Sequence, residues 1–318
     1  MTAVCPDREP TSGKRSTLMA MTPKDLNRVA RRRVRRIQRK ALTPVTGSQR
    51  ALLQIGQLQL AMRYRELAAA GGPLPSYRDV GFGVYCDADE DGILLFLLAV
   101  VGADHKVLVD LGSASADASN SSNLVLHHGW TGLLVDGDAD NVALAERDYA
   151  DRGVMPPTMV SDWITAENVN ELVTSHVDPA SVDLLSIDID GNDYWVWKAL
   201  DVIRPRVAVI EYQDIIGPER AVTIPYDPTF VKSRHPENGE HNNYVGASLR
   251  AMVELGRDKG YRLVATNAYG FNAFFVRDDL AADLLPEIPV EAGFPHPWNR
   301  FGFEQRWPLV QDLPWQEV

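Results

Sequence analysis

Five short apolar runs, KVLVD (106–110), TGLLVD (131–136), PTMVSD (157–162), VDLLSID (182–188) and RVAVIE (206–211), each end in an acid. The terminal acids, Asp110, Asp136, Asp162, Asp188 and Glu211, stand 26, 26, 26 and 23 residues apart. That interval accommodates one strand, one helix and two loops. Near-continuous apolar strands separated by helices predict a parallel sheet covered on both faces. Right-handed crossovers then carry all of these acids to one edge of the sheet. Open α/β sheets bind their ligands along that carboxyl edge.

Two further runs, YRLVATN (261–267) and NAFFVR (272–277), flank AYGF and read as a hairpin. Together the runs predict an α/β fold with a seven-stranded, Rossmann-like sheet closed by an antiparallel terminal hairpin, preceded by N-terminal helices. Helices are expected at 48–71, about 91–101 and 246–260, the last stopped by Gly260. Four regions follow: a disordered, Arg-rich extension (1–45), a helical region (46–104), the catalytic-type domain (105–280) and an aromatic tail (281–318). The tail carries Trp298, Phe301, Phe303, Trp307 and Trp315. It is expected to pack on the body or on a second subunit, the latter making a homodimer. Residues 213–244 read as a long irregular loop, and loops of that length are usually functional or disordered.

Charge and cysteine usage narrow the class. The formal net charge is −11, against the basic footprint of a nucleic-acid binder. Residues 24–40 hold nine of the Lys and Arg residues and one acid, so the remaining 23 basic and 42 acidic residues leave a balance of −19. The two cysteines, Cys5 and Cys86, make no disulfide framework and suggest a reducing, cytoplasmic setting. No apolar run reaches the roughly 18 residues of a membrane span, and the start lacks the pattern of a signal peptide.

Within the strand–helix array, several stretches resemble the FkbM-type class I S-adenosylmethionine-dependent methyltransferases. They are VLVDLGSASADASNSSNL, GWTGLLVDGD, ENVNEL, LLSIDIDGNDYWVWKAL, VIEYQ, YVGASL, KGYRLVATN and NAFFVR, spanning Tyr85 to Arg277. SIDIDGNDYW with the later IEY is the most specific part. The resemblance implies methyl transfer from S-adenosylmethionine to a hydroxyl of a sugar or natural product, as in secondary metabolism. It implies cofactor contacts from Glu90, Asp110, Gly112, Asp136, Asp162 and Trp163. Asp110 and Gly112 would form the methionine turn, Asp136 would hold the ribose hydroxyls, and Asp162 with Trp163 would hold adenine. Ala114 and Ala116 stand where the family has glycines, and Cys86, Asp87, Ala88 and Asp89 replace the residues that precede its helix-start motif. These departures motivate an alternative, a methyltransferase-like fold that binds or regulates without transferring methyl groups, or that runs other chemistry.

The acids of SIDIDGND carry whatever chemistry there is. Asp188 and Asp190 are the candidate catalytic residues, a carboxylate being able to take the proton of an alcohol acceptor. Asp188, Glu211 and Gln213 are the candidate ligands of Mg2+, the second cofactor that the related macrocin-type enzymes suggest. Asp193 is expected in the first turn of the following helix, and Asp190 on the same face as Asp188 if the strand continues that far. His235 and His241 read as solvated loop residues or acceptor contacts, His127 and His128 as surface residues, and Tyr226 and Asp227 as pocket wall.

Overall fold

A computed structural model describes residues 47–113, 115–232 and 243–318. The Arg-rich stretch, Ala114, His235 and His241 lie outside the described residues. The chain divides into two units, Met1–Leu53 and Gln54–Val318. Of the first, only 47–53 are described, the opening of helix α1 (Gly47–Ala69).

In the second unit, a short α2 (Tyr77–Val80) and the apolar α3 (Glu90–Val101) precede the sheet. Strands β1 (Val107–Leu111), β2 (Thr131–Asp136), β3 (Thr158–Ser161), β4 (Val182–Ile187) and β5 (Val207–Glu211) follow. They alternate with α4 (Ser122–His128), α5 (Ala139–Asp151), α6 (Val169–Thr174) and α7 (Asp193–Ala199). After β6 (Val222–Thr223) and α8 (Leu249–Asp258), the hairpin is β7 (Tyr261–Thr266) and β8 (Asn272–Arg277). The sheet order is β3-β2-β1-β4-β5-β8-β7, with β8 antiparallel to both neighbours. This is the Rossmann-like sheet with a terminal hairpin that the strand spacing predicts.

The twofold alternation of side chains explains why these runs are apolar throughout. Val109, Leu133, Leu185 and Ala208 face one layer, with Leu172, Trp197 and Met252 from α6, α7 and α8. Leu108, Leu134, Leu184 and Val209 face the other, with Phe96, Leu124 and Tyr149 from α3, α4 and α5. Asp110, Asp136, Asp188 and Glu211 continue the second set at steps of two, so they emerge on the side that α3 covers.

The segment after β5 is less irregular than its sequence suggests. β6 pairs with β9 (Gln316–Glu317) in a second, two-stranded sheet. Ile215, Ile216, Ile224, Tyr244 and Val310 form a small core there, with Trp307 and Trp315 packed against it. Trp307 and Trp315 of the tail thus lie on the body, whereas Trp298 and Phe301 are exposed. Among the described residues no helix is long and apolar enough to cross a membrane.

Candidate functional site: two clefts meeting at an acidic rim

Gly112 opens the rim. Its φ is +96°, and a Cβ there would lie 1.8 Å from the carbonyl oxygen of Asp188. The backbone leaving β4 therefore requires glycine here. The turn is tied on both sides. Gly112 and Ser113 donate backbone N–H to Val135 O at 2.9 and 3.0 Å, and Asp188 N donates to Leu111 O at 2.9 Å.

Asp110 sits one residue inside the end of β1 and is buried. Ser119 and Ser121 each donate a hydroxyl to its Oδ2 at 2.5 Å. The serine-rich stretch thus folds back to satisfy this acid. Burial still raises the Asp110 pKa, against those hydroxyl bonds. Across β1, Asp110 faces Leu134 on one side and Ser186 on the other. Glu90, at the start of α3, is fully buried. It accepts from Ala88 N at 3.0 Å, Asn267 Nδ2 at 2.8 Å and Asn272 Nδ2 at 3.1 Å. Asp87, Glu90, Asp110, Gly112, Asp188 and Asn272 line one cleft.

The remaining cofactor candidates stand on the neighbouring strand ends but do not line that cleft. Asp136 is buried and accepts from Asp138 N at 2.7 Å and Asn141 Nδ2 at 3.3 Å; burial raises its pKa. Asp162 lies one residue past β3 and is exposed, its Oδ1 accepting from Trp163 N at 2.8 Å. The Trp163 ring lies against Gly137, where a Cβ would come within 3.0 Å of it. Its Nε1 donates to Pro228 O at 2.7 Å, so this indole holds a neighbouring segment of the chain.

Beyond β4 the acids divide by role. β4 stops at Ile187, so Asp190 does not reach its place by strand alternation. Its φ is +61°, a left-handed turn that brings it back toward Asp188. Oxygens of Asp188, Asp190 and Glu211 all lie within 4.8 Å of one another. Asp193 instead closes its own loop, accepting from Ile189 N and Gly191 N at 2.8 Å each. Asp188 and Glu211 are hydrogen-bonded carboxyl to carboxyl. Both pKa values are raised well above the ordinary range, first by burial and then by the neighbouring acids.

Lys232, which nothing in its sequence context marks, completes the cluster. Its ammonium pairs with Asp190. Burial alone would lower its pKa, but Glu211, Asp190 and Asp188 outweigh that and raise it. Glu211, Gln213, Asp214, Lys232, Trp298 and Arg306 line a second cleft of about 690 Å3. Asp214 accepts from Asn299 Nδ2 at 3.2 Å and lies 3.7 Å from Arg306, and burial lifts its pKa to about 6. Gln213 donates its amide to Asn243 O at 3.1 Å. The two clefts share Phe271 and meet at the Asp188–Glu211 pair.

Three other expectations change. His127 is buried, its Nε2 2.9 Å from the hydroxyl of Tyr85, and His128 Nε2 is 2.7 Å from Gln57 Oε1. Both histidines sit in a polar network under α1, and burial pushes the His128 pKa down to about 4. Tyr226 anchors the chain instead of lining a pocket: its hydroxyl accepts from Ala166 N at 3.1 Å and donates to Glu167. Asp227 holds its own turn through Thr229 N at 2.8 Å, and its carbonyl accepts from Asn192 Nδ2.

No protein-family model matches the chain, and no curated protein matches it. Solved structures do. A S-adenosylmethionine-dependent methyltransferase from Clostridium acetobutylicum shares 11% identity over 58% of this chain and 89% of its own, with a TM-score of 0.37. One from Aquifex aeolicus shares 11% over 68% and 96%, with a TM-score of 0.35. A mitomycin 7-O-methyltransferase shares 16% over 68% and 67%, with a TM-score of 0.32. Scores this low carry no argument about chemistry. The strand order itself defines the chain as a Rossmann-like α/β protein of class I methyltransferase architecture.

Proposed function

We propose that this chain is an S-adenosylmethionine-dependent methyltransferase acting on a hydroxyl of a small acceptor, such as a sugar or natural product, within the FkbM-type group. The observation that carries the reading is the meeting of two clefts at one half-buried carboxyl pair. The first cleft presents acceptor groups: the carboxyls of Asp87, Glu90, Asp110 and Asp188, and the buried Oδ1 of Asn272, which has no hydrogen-bond partner among the described residues. Such a lining suits a ligand that carries positive charge, as a sulfonium amino acid does. Glu90, Asp110 and Gly112 would bind its amino-acid end, and Asp136, Asp162 and Trp163, one and two strands over, its nucleoside end.

When bound, the cofactor supplies an electrophilic methyl group whose departure leaves an electron pair on sulfur. The protein's part is orientation and proton removal. Held in line at roughly 3–3.5 Å, an acceptor oxygen gains most of its advantage from placement. Asp188 lines the first cleft and Glu211, beside it, lines the second; the raised pKa of Asp188 makes it a stronger base than an ordinary carboxylate. It takes the hydroxyl proton as the oxygen–methyl bond forms. Glu211 holds that carboxyl in place, and Asp190 holds the Lys232 ammonium beside it. The donor set does not fit a divalent ion as folded, because Lys232 already pairs with Asp190. No step is therefore routed through Mg2+.

Calorimetry of the full chain with S-adenosylhomocysteine tests the reading. Saturable binding, weakened in Asp110→Asn, is expected. An absence of binding heat, with no change in thermal midpoint, would instead support the binding or regulatory alternative.

A further inference from the structure

We propose that Lys232 is the built-in cation of the acidic cluster and stands where related enzymes would use a divalent ion. The lysine is placed there by a strap, residues 226–232, that crosses the rim from β3 toward β4. Three independent attachments precede it. Trp163 Nε1 donates to Pro228 O at 2.7 Å, and Asn192 Nδ2 donates to Asp227 O at 2.8 Å. The Phe230 ring covers Gly191 so closely that a Cβ there would lie 2.5 Å from it. With the backbone fixed on both strand-end turns, the Lys232 side chain, 26% exposed, is delivered to Asp190 by the fold.

The cluster thus holds a cation of its own. Asp188, Asp190 and Glu211 bring their oxygens within 4.8 Å of one another, and the ammonium of Lys232 is paired with one of them, Asp190. The remaining charge lies on the wall of the first cleft, where Asp188 stands. A divalent ion would have to evict the ammonium from a partly buried ion pair, and breaking such a pair is costly. On the methyl-transfer reading, on which this extension rests, transfer proceeds without added divalent ion, and the remaining charge faces the positively charged cofactor. The choice of cation is itself independent of that reading.

Titration of the full chain with MnCl2 in a calorimeter reads that choice directly. The wild-type chain should give no saturable heat at up to about 1 mM Mn2+, well above the affinity of a three-carboxylate site. Lys232→Met keeps the aliphatic stem and removes the charge; it should bind Mn2+ at least about tenfold more tightly than wild type. Adding Asp190→Asn should remove the gain, and Lys232→Arg should behave as wild type. Lys232→Gln serves as a second neutral variant should Lys232→Met lose its far-ultraviolet circular dichroism. Equal Mn2+ affinity in the wild-type and neutral chains, or no gain in either neutral variant, would overturn the proposal. A failure of S-adenosylhomocysteine to bind would leave these Mn2+ results readable and would count against the methyl-transfer reading alone.

Discussion

At the residue scale, the site rests on contacts that tolerate almost no added atoms. Gly112→Ala would combine a left-handed backbone with a methyl group 1.8 Å from the Asp188 carbonyl oxygen. Strain of this kind costs at least about 3 kcal/mol, so the variant should unfold several degrees earlier in a thermal scan or fail to fold. An unchanged midpoint would show that the two strand ends are not in contact. Asp188→Asn keeps the shape of the carboxyl and loses its basicity. Turnover should fall by about 10²–10⁴-fold, with S-adenosylhomocysteine affinity changed far less. Several residue positions were legible before any coordinates. The position of Asp188 followed from strand phase, and the helix-proximal place of Asp193 from its spacing. Lys232 was not legible, because its partner Asp190 is 42 residues away and no periodicity links a loop lysine to a turn. Asp110 was legible as a rim acid. Its serine partners were not, since their hydroxyls act through a fold-back that leaves no trace beyond composition.

At the scale of elements, the strap at 226–232 is the least expected feature. Its sequence, YDPTFVK, has no helical or strand period, and it is ordered by bonds from other elements. Trp163 has a second partner that its sequence does not announce. The resemblance implies a ring beside the adenine, and the indole N–H also holds Pro228. Trp163→Phe keeps the ring and removes one hydrogen bond, worth roughly 1 kcal/mol. Amide exchange of residues 229–232 should quicken by about three- to tenfold in that variant, while strand β4 is unaffected. Uniform quickening across the molecule would instead mean global destabilisation. The parallel strands were readable because both of their faces are apolar. The pairing of β6 with β9 joins residues almost a hundred positions apart through two short strands, and strands that short carry no pattern.

For the whole molecule, buried carboxyls set the response to pH. Burial lifts Asp91 and Asp214 to about 6 and raises the Asp188–Glu211 pair well above the usual range. A carboxyl raised on folding holds more protons folded than unfolded between its two pKa values. Its contribution is complete below the unfolded value, near 4, and is lost as pH rises through the folded one. Stability should therefore decline from about pH 4 to 7. Asp91 accepts from Val84 N and Tyr85 N at 2.7 Å each, bonds that an asparagine oxygen can also accept. Asp91→Asn should lose about 2–3 kcal/mol less over that window than wild type, measured by urea unfolding at several pH values. Parallel profiles would mean that Asp91 ionises normally in the fold. The close seating of Gly112 on the Asp188 carbonyl also bears on any attempt to repurpose this protein. With no slack between β1 and β4, that side of the pocket cannot recede to admit a transferable group larger than methyl. On the methyl-transfer reading, room for ethyl or allyl donors has to come from the second cleft, for instance by shortening Lys232.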